Sequence, residues 1–132
     1  MIIPQRPVIC KAGWREIGGK RKYYRSRWEA NYARYLEWLR LNKQILDWHH
    51  EPHTFWFGGI KRGVVSYLPD FRVIEMNANV VYHEVKGWMD PKSATKIKRM
   101  AKYYPSVKLI VIDSKGYKAL AKSVSSFVLG WE

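Results

Sequence analysis

Two short strings carry the residue types for metal-assisted phosphodiester chemistry: Pro69-Asp70 and, after thirteen further residues, Glu84-Val85-Lys86. Such cleavage needs carboxylate oxygens to hold a cation and an ammonium group to order the attacking water or balance charge on phosphorus. Both strings close strand-like runs, over 64–74 and 80–86, with Asn77 and Asn79 in the turn between them. A turn centred on Asn77 sets Ile74 opposite Val80, Arg72 opposite Tyr82, and Asp70 opposite Glu84. Side chains so opposed have Cβ atoms roughly 4.5–5.5 Å apart. Two carboxylates at that separation repel, and become favourable with a hard dication between them, Mg²⁺ above all. Alternation then places Tyr82, Glu84 and Lys86 on one face, so Lys86 projects beside the cation.

The third acid is Glu29. On a helical wheel it lies about 100° from Trp28, at the margin of the apolar face. It either joins the metal site or completes a capping box with Ser26. Glu37 is expected on the solvent side.

The elements that must position these residues follow from periodicity. Trp28, Tyr32, Tyr35, Leu36 and Leu39 recur at helical spacing and predict a helix over 27–42. Residues 45–48 read as a short strand or turn, 54–57 as a strand stopped by Gly58-Gly59, and 64–74 and 80–86 as the hairpin. A second helix spans 91–104 with Pro91 in its first turn. A strand follows over 107–112, then a last helix over 116–127. The order α-β-β-β-α-β-α is that of a mixed α/β layer fold with an antiparallel meander at its centre. Residues 1–25 read as a basic arm, and 26–132 as one domain.

Charge points to a polyanionic partner. The chain has 132 residues, 24 Lys+Arg against 11 Asp+Glu, and a formal net charge of +13. An excess so one-sided favours nucleic acid, whose counterions are released on binding. The lone Cys10 excludes an internal disulfide and fits a reducing compartment. No apolar run approaches the roughly 18 residues a membrane span needs, and the N-terminus lacks the pattern of a signal peptide. A cytoplasmic protein without membrane attachment is expected.

Candidate phosphate contacts are Lys20, Arg21, Lys22, Arg25 and Arg27 near the arm's end, and Lys92, Lys96 and Arg99, which share a face of the second helix. Lys98 and Lys102 form a neighbouring stripe. Trp14, Tyr23, Tyr24 and Trp88 are suited either to base stacking or to the core. His49, His50 and His53 are expected at a turn or strand edge, not as ligands, because Pro52 opposes a helix that would align His49 with His53. Asp90 is placed to cap the second helix.

With these residues in view, the chain resembles the PD-(D/E)xK nuclease superfamily. Glu29, Pro69-Asp70 and Glu84-Val85-Lys86 match its E…PD…ExK signature in order and spacing. The α-β-β-β-α-β order over 27–112 matches its restriction-endonuclease-like core, a central mixed sheet flanked by helices. Ser26-Arg27-Trp28-Glu29 behind Gly19-Lys20-Arg21 resembles the opening of archaeal-type Holliday junction resolvases. Glu51-Pro52-x-x-Phe55, Tyr67-Leu68-Pro69-Asp70-Phe71 and Glu84-Val85-Lys86-Gly87 look more like phage and transposon endonucleases. Phe55 to Gly63 stands where the archaeal type has a serine-glycine loop. The resemblance implies a Mg²⁺-dependent DNA endonuclease, with Mn²⁺ as a substitute. Asp70 and Glu84 would hold metal, the Val85 carbonyl would add a ligand, Lys86 would be catalytic and Glu29 would assist. Branched DNA, in particular the four-way junction, is the expected substrate. Two coordinated cuts imply a homodimer, with no small-molecule cofactor. For a phage-encoded protein the compartment would be the host cytoplasm. The alternatives are a duplex- or end-specific nicking endonuclease and a non-catalytic basic DNA-binding protein.

Overall fold

The computed structural model describes residues 11–132; Cys10 and the first part of the expected arm lie outside the described residues. Three helices surround a four-stranded sheet. In chain order the elements are β1 (Gly13–Ile17), β2 (Lys20–Tyr24), α1 (Arg27–Leu41), β3 (Ile45–His50), β4 (Phe55–Trp56), β5 (Ser66–Tyr67), β6 (Phe71–Glu75), β7 (Val80–Val85), α2 (Pro91–Tyr103), β8 (Lys108–Ile112) and α3 (Ser114–Val124). The main sheet runs β3-β6-β7-β8. Its first three strands are antiparallel, while β7 and β8 are parallel and joined through α2. The chain is therefore a mixed α/β protein. No helix among the described residues is long and apolar enough to cross a membrane.

The β6–β7 register is the expected one. Ile74 pairs with Val80, Arg72 with Tyr82 and Phe71 with His83. Asn77 closes the turn by accepting the Asn79 amide at 3.0 Å, although the left-handed residue is Ala78, with φ 70°. Alternation gives the sheet two faces. Val73, Phe71 and Trp48 pack against Ala30, Ala33 and Leu36 of α1, and the Tyr32 hydroxyl meets His83 Nδ1 at 2.6 Å. On the other face, Tyr82 joins Phe55, Phe57, Tyr67 and Met100 in a second cluster under α2. Burying each of these large apolar side chains contributes roughly 1.5–3 kcal/mol.

Four expectations need correction. The basic arm is, from Gly13 onward, a hairpin: β1 and β2 pair around Gly18-Gly19, whose φ of 63° and 76° suit a two-residue turn. Ile17 and Tyr24 bury themselves against α1, so this segment belongs to the domain. The strand expected over 64–74 is two strands, because Leu68-Pro69 breaks the ladder and β5 pairs with β4 in a separate ribbon. Residues 45–48, expected as a short strand or turn, belong to the longer edge strand β3, so the α-β-β-β-α-β order is built from α1, β3, β6, β7, α2 and β8. The last helix begins two residues early because Asp113 accepts the Gly116 amide and caps it.

Candidate functional site

Four carboxylates line up across one end of the main sheet. Asp70 sits in the break between β5 and β6, where the ladder has ended, so its side chain is free to bridge elements. The Asp70 amide donates to Glu84 Oε1 at 3.0 Å, and the Val85 amide donates to Asp70 Oδ2 at 2.8 Å. The cross-strand pairing of Asp70 with Glu84 thus persists past the last ladder residue. Glu84 is buried and also accepts from the Tyr67 hydroxyl at 2.9 Å. Lys86 keeps the alternation: its side chain lines a small cavity with Tyr67, Glu84, Ser93, Lys96 and Ile97. Its amide extends the parallel ladder to the Ile112 carbonyl at 2.8 Å. Gly87 follows because a Cβ there would sit 3.3 Å from the Trp28 ring.

Glu29 closes the cluster from α1. Its amide donates to Ser26 Oγ at 3.1 Å, as a capping residue's would, and its Oε2 accepts the Arg25 amide at 2.6 Å. Its carboxylate also lies against Asp70. The cap and the site are therefore compatible roles of one side chain. Beyond Glu29 stand His50 and Glu51, at the end of β3, with His50 Nε2 at 3.6 Å from Glu29 and 3.4 Å from Glu51. Glu51 holds a left-handed φ of 46°, and its amide donates to the Asp70 carbonyl at 2.7 Å.

The electrostatics are those of carboxylates with too few cations. Burial, then Glu84 and Glu29, push Asp70 well above the usual carboxylate range. Burial also raises Glu84, against the opposing pull of the Tyr67 hydroxyl, the Asp70 amide, Lys86 and Lys96. Burial acts in the same sense on Glu29, but His50, the Arg25 amide and Asp70 together bring it below the usual value. Asp70 is thus the member whose charged form its surroundings oppose most. An all-oxygen set of this kind fits a hard divalent cation, which would favour the ionised forms.

Cations stand at both ends of the row. Arg25 Nη2 meets Glu51 at 3.3 Å on one side. On the other, Lys86, Lys92 and Lys96 line an open groove of ≈ 460 Å³. Lys20 and Lys22 line a recess with Tyr24, His49 and His50. Arg21 stands over the Trp14 ring, 5.5 Å from its centroid. Arg99 departs from the expected face, since its guanidinium is turned to the Val64 carbonyl. Arg27 carries a buried Nε without a partner and acts electrostatically on Tyr117. Val85 uses its amide for Asp70 and packs against the α1 core.

Of the aromatics suited to base stacking or to the core, Tyr24 takes the core: it is fully buried, its ring centroid 4.3 Å from that of His50. One further expectation needs correction: Glu37 does not face solvent freely, since it grips Arg40 and the Trp48 indole. Trp14, Tyr23 and Trp88 are exposed. Tyr67 and Glu51 carry no site role in the sequence reading, and His50, expected at a turn or strand edge and not as a ligand, lies beside the cluster. His50 was testable only as part of a strand: once 45–50 is extended, Trp48 and His50 share the face toward α1. Asp90 caps α2 as expected, accepting the Ser93 amide at 2.7 Å.

A family model described as "Protein of unknown function (DUF1064)" matches residues 11–119, which contain every residue of this cluster. No curated protein matches the chain, and no solved structure does.

Proposed function

The chain belongs to the DUF1064 family, whose description names no activity, so the activity is taken from the site: we propose that it is a Mg²⁺-dependent DNA endonuclease of the PD-(D/E)xK type, with a restriction-endonuclease-like core. One observation carries the proposal. Asp70 and Glu84 meet across the end of β6 and β7, with Lys86 on the face of Glu84 and Glu29 behind Asp70. A protein that only binds DNA has no use for carboxylates raised by burial and, at Asp70, by its acidic neighbours, which weaken both the fold and the attraction for phosphate.

Asp70 and Glu84 are the metal-holding residues, and the Val85 carbonyl is a further ligand candidate. Bound there, Mg²⁺ would polarise a phosphoryl oxygen and acidify a coordinated water. The Tyr67 hydroxyl and the Asp70 amide orient Glu84 by its Oε1. The Val85 amide fixes Asp70 in the same way. Lys86 projects its ammonium toward the same space and serves to order the nucleophile or balance charge on phosphorus. Lys92 and Lys96 extend the groove beyond Lys86 and suit the continuing phosphate backbone. Lys20, Lys22, Arg21 and Arg25 supply a second basic flank.

Within this proposal the preferred substrate is branched DNA, the four-way junction first, cut by a homodimer in the cytoplasm. The test is incubation of four-way junction, nicked duplex, linear duplex and single strand with Mg²⁺, Mn²⁺ or EDTA. Cleavage of the junction ahead of the others, abolished by EDTA, is expected. Equal cleavage of linear duplex would move the assignment to a nicking endonuclease. Intact DNA in both metals would end the nuclease proposal. The mass of the protein in solution, free and on a junction, tests the dimer.

A further inference from the structure

His50 has no assigned work, and its surroundings are unusual for a core histidine. Its side chain is 2 % exposed, and neither ring nitrogen has a hydrogen-bond partner. Buried imidazole nitrogens left unpaired cost free energy that a structural role normally avoids. The ring is clamped between Tyr24 and Phe71, at centroid distances of 4.3 and 5.4 Å. That clamp fixes where Nε2 points, which is at one oxygen of Glu29 and one oxygen of Glu51.

Arg25 arranges both carboxylates for this meeting. Its amide holds Glu29 Oε2 and its guanidinium holds Glu51 Oε2. The other oxygen of each, Oε1, is left facing His50 Nε2, at 3.6 Å and 3.4 Å. One donor atom from each of the three side chains lies within 4.8 Å of the others. Glu51 reaches this position with φ 46°, a left-handed conformation that an L side chain rarely adopts.

The two distances, 3.4 and 3.6 Å, are longer than a well-formed hydrogen bond, and donors so spaced suit a single ion between them. With metal–ligand bonds of about 2.0–2.1 Å, the edge of a tetrahedron is roughly 3.4 Å, whereas the edge of a Mg²⁺ octahedron is roughly 2.9 Å. An imidazole nitrogen with two carboxylate oxygens is also softer than the all-oxygen pair of Asp70 and Glu84. We propose that Glu29, His50 and Glu51 form a second cation site, selective for a first-row transition-metal dication such as Co²⁺ or Zn²⁺ over Mg²⁺. The site stands beside the Asp70–Glu84 pair, with Glu29 touching both, and its existence does not depend on whether the protein cuts DNA.

The test uses the metal-free full chain titrated with Co²⁺, followed by visible d–d absorption and by equilibrium dialysis. Wild type is expected to bind Co²⁺ with a tetrahedral-type spectrum that survives excess Mg²⁺ and persists in Asp70→Asn. Glu51→Gln should weaken that binding by at least about a hundredfold, since it removes a ligand and not merely a supporting contact. Glu51 is partly exposed at a strand end, so this variant retains the fold; His50→Gln is the second variant, with circular dichroism as its folding check. Loss of the band in both variants supports the site. A wild type that binds no Co²⁺, Co²⁺ binding unchanged by Glu51→Gln, or complete displacement by excess Mg²⁺ would overturn it. Failure to cut any DNA would defeat the nuclease proposal and leave this spectrum untouched.

Discussion

Helix α1 carries one carboxylate near each end, and the two live in opposite surroundings. Glu37 is matched: Arg40 donates to both of its oxygens at 2.7 Å, and the Trp48 indole adds a third bond at 3.0 Å. The Arg40 bond, with Trp48 behind it, holds Glu37 below the ordinary carboxylate value. Glu29 opens onto Asp70 and Glu84, where carboxylates outnumber cations and two of the three are raised. The contrast teaches how one helix serves two purposes. Where each acid has its own cation, it ties the helix to β3. Where acids face each other, the fold bears a cost of burial and repulsion that a bound cation would relieve, which is what supports the proposed site.

The largest expected effect breaks the unmatched end. Asp70→Asn should lower Mg²⁺-dependent cleavage by at least about 10³-fold, the scale of a metal's several kcal/mol of charge stabilisation. It should leave DNA binding intact and metal-free stability equal or higher, because the side-chain amide still accepts from Val85 while a buried ionisable group is gone. A melting curve beside a cleavage assay checks both; a loss of stability would erase the distinction between the two ends.

Next in size is the response to metal. Mg²⁺ at about ten times its Kd should stabilise the wild type by about 1.4 kcal/mol, roughly 5 °C in Tm for a domain of this length. The shift should vanish in Asp70→Asn and persist in Glu37→Gln. Calorimetry in buffers of different ionisation enthalpy should also show protons released on Mg²⁺ binding, since the raised carboxyls must give theirs up.

Breaking the matched end is a smaller event. Glu37→Gln keeps an acceptor for Trp48 and loses the ionic bond to Arg40, so about 1 kcal/mol of stability should go, with cleavage per folded molecule unchanged. Denaturant titration beside the cleavage assay separates the two.

The smallest effect is in pH. Glu37 is lowered in the folded state, so its contribution is fully present above its unfolded value of 4.5 and is lost as pH falls through the lowered folded value. The stability gap between wild type and Glu37→Gln should therefore be constant at neutral pH and close on acidification below 4.5. Glu132, lowered by Arg15 and Arg34, should add a second acid-sensitive tie of the same sign. A gap that stayed open in acid would show that Glu37 acts by packing alone.

Much of the candidate site was legible because it rests on local rules. The Asn77 turn set the β6–β7 register, and a period of two carried it to Asp70, Glu84 and Lys86. The two candidate roles of Glu29, cap or site, were readable from Ser26-x-x-Glu29 and its place on the wheel, and the structure shows the contact with Ser26. The β1–β2 hairpin was misread because Lys and Arg mask its alternation, though Gly18-Gly19 is a recognisable hairpin turn. The split of 64–74 was missed because an apolar run around Pro69 looks continuous until the partner of each half is known. His50 and Glu51 were not placed beside the cluster because their neighbours, Glu29 and Asp70, lie about twenty residues away on each side.

By itself, then, the sequence determined the charge of the molecule, the pairing of Asp70 with Glu84 and the phase of Lys86. These follow from steric alternation and from a turn of five residues, which act over short stretches of chain. Only the tertiary structure decided that α1 and β3 bring Glu29, His50 and Glu51 to the same end of the sheet as Asp70. That meeting depends on which strand forms the sheet edge and on how α1 packs over it, and such choices are made by burial of Trp48, Phe71 and Leu36 across the whole chain.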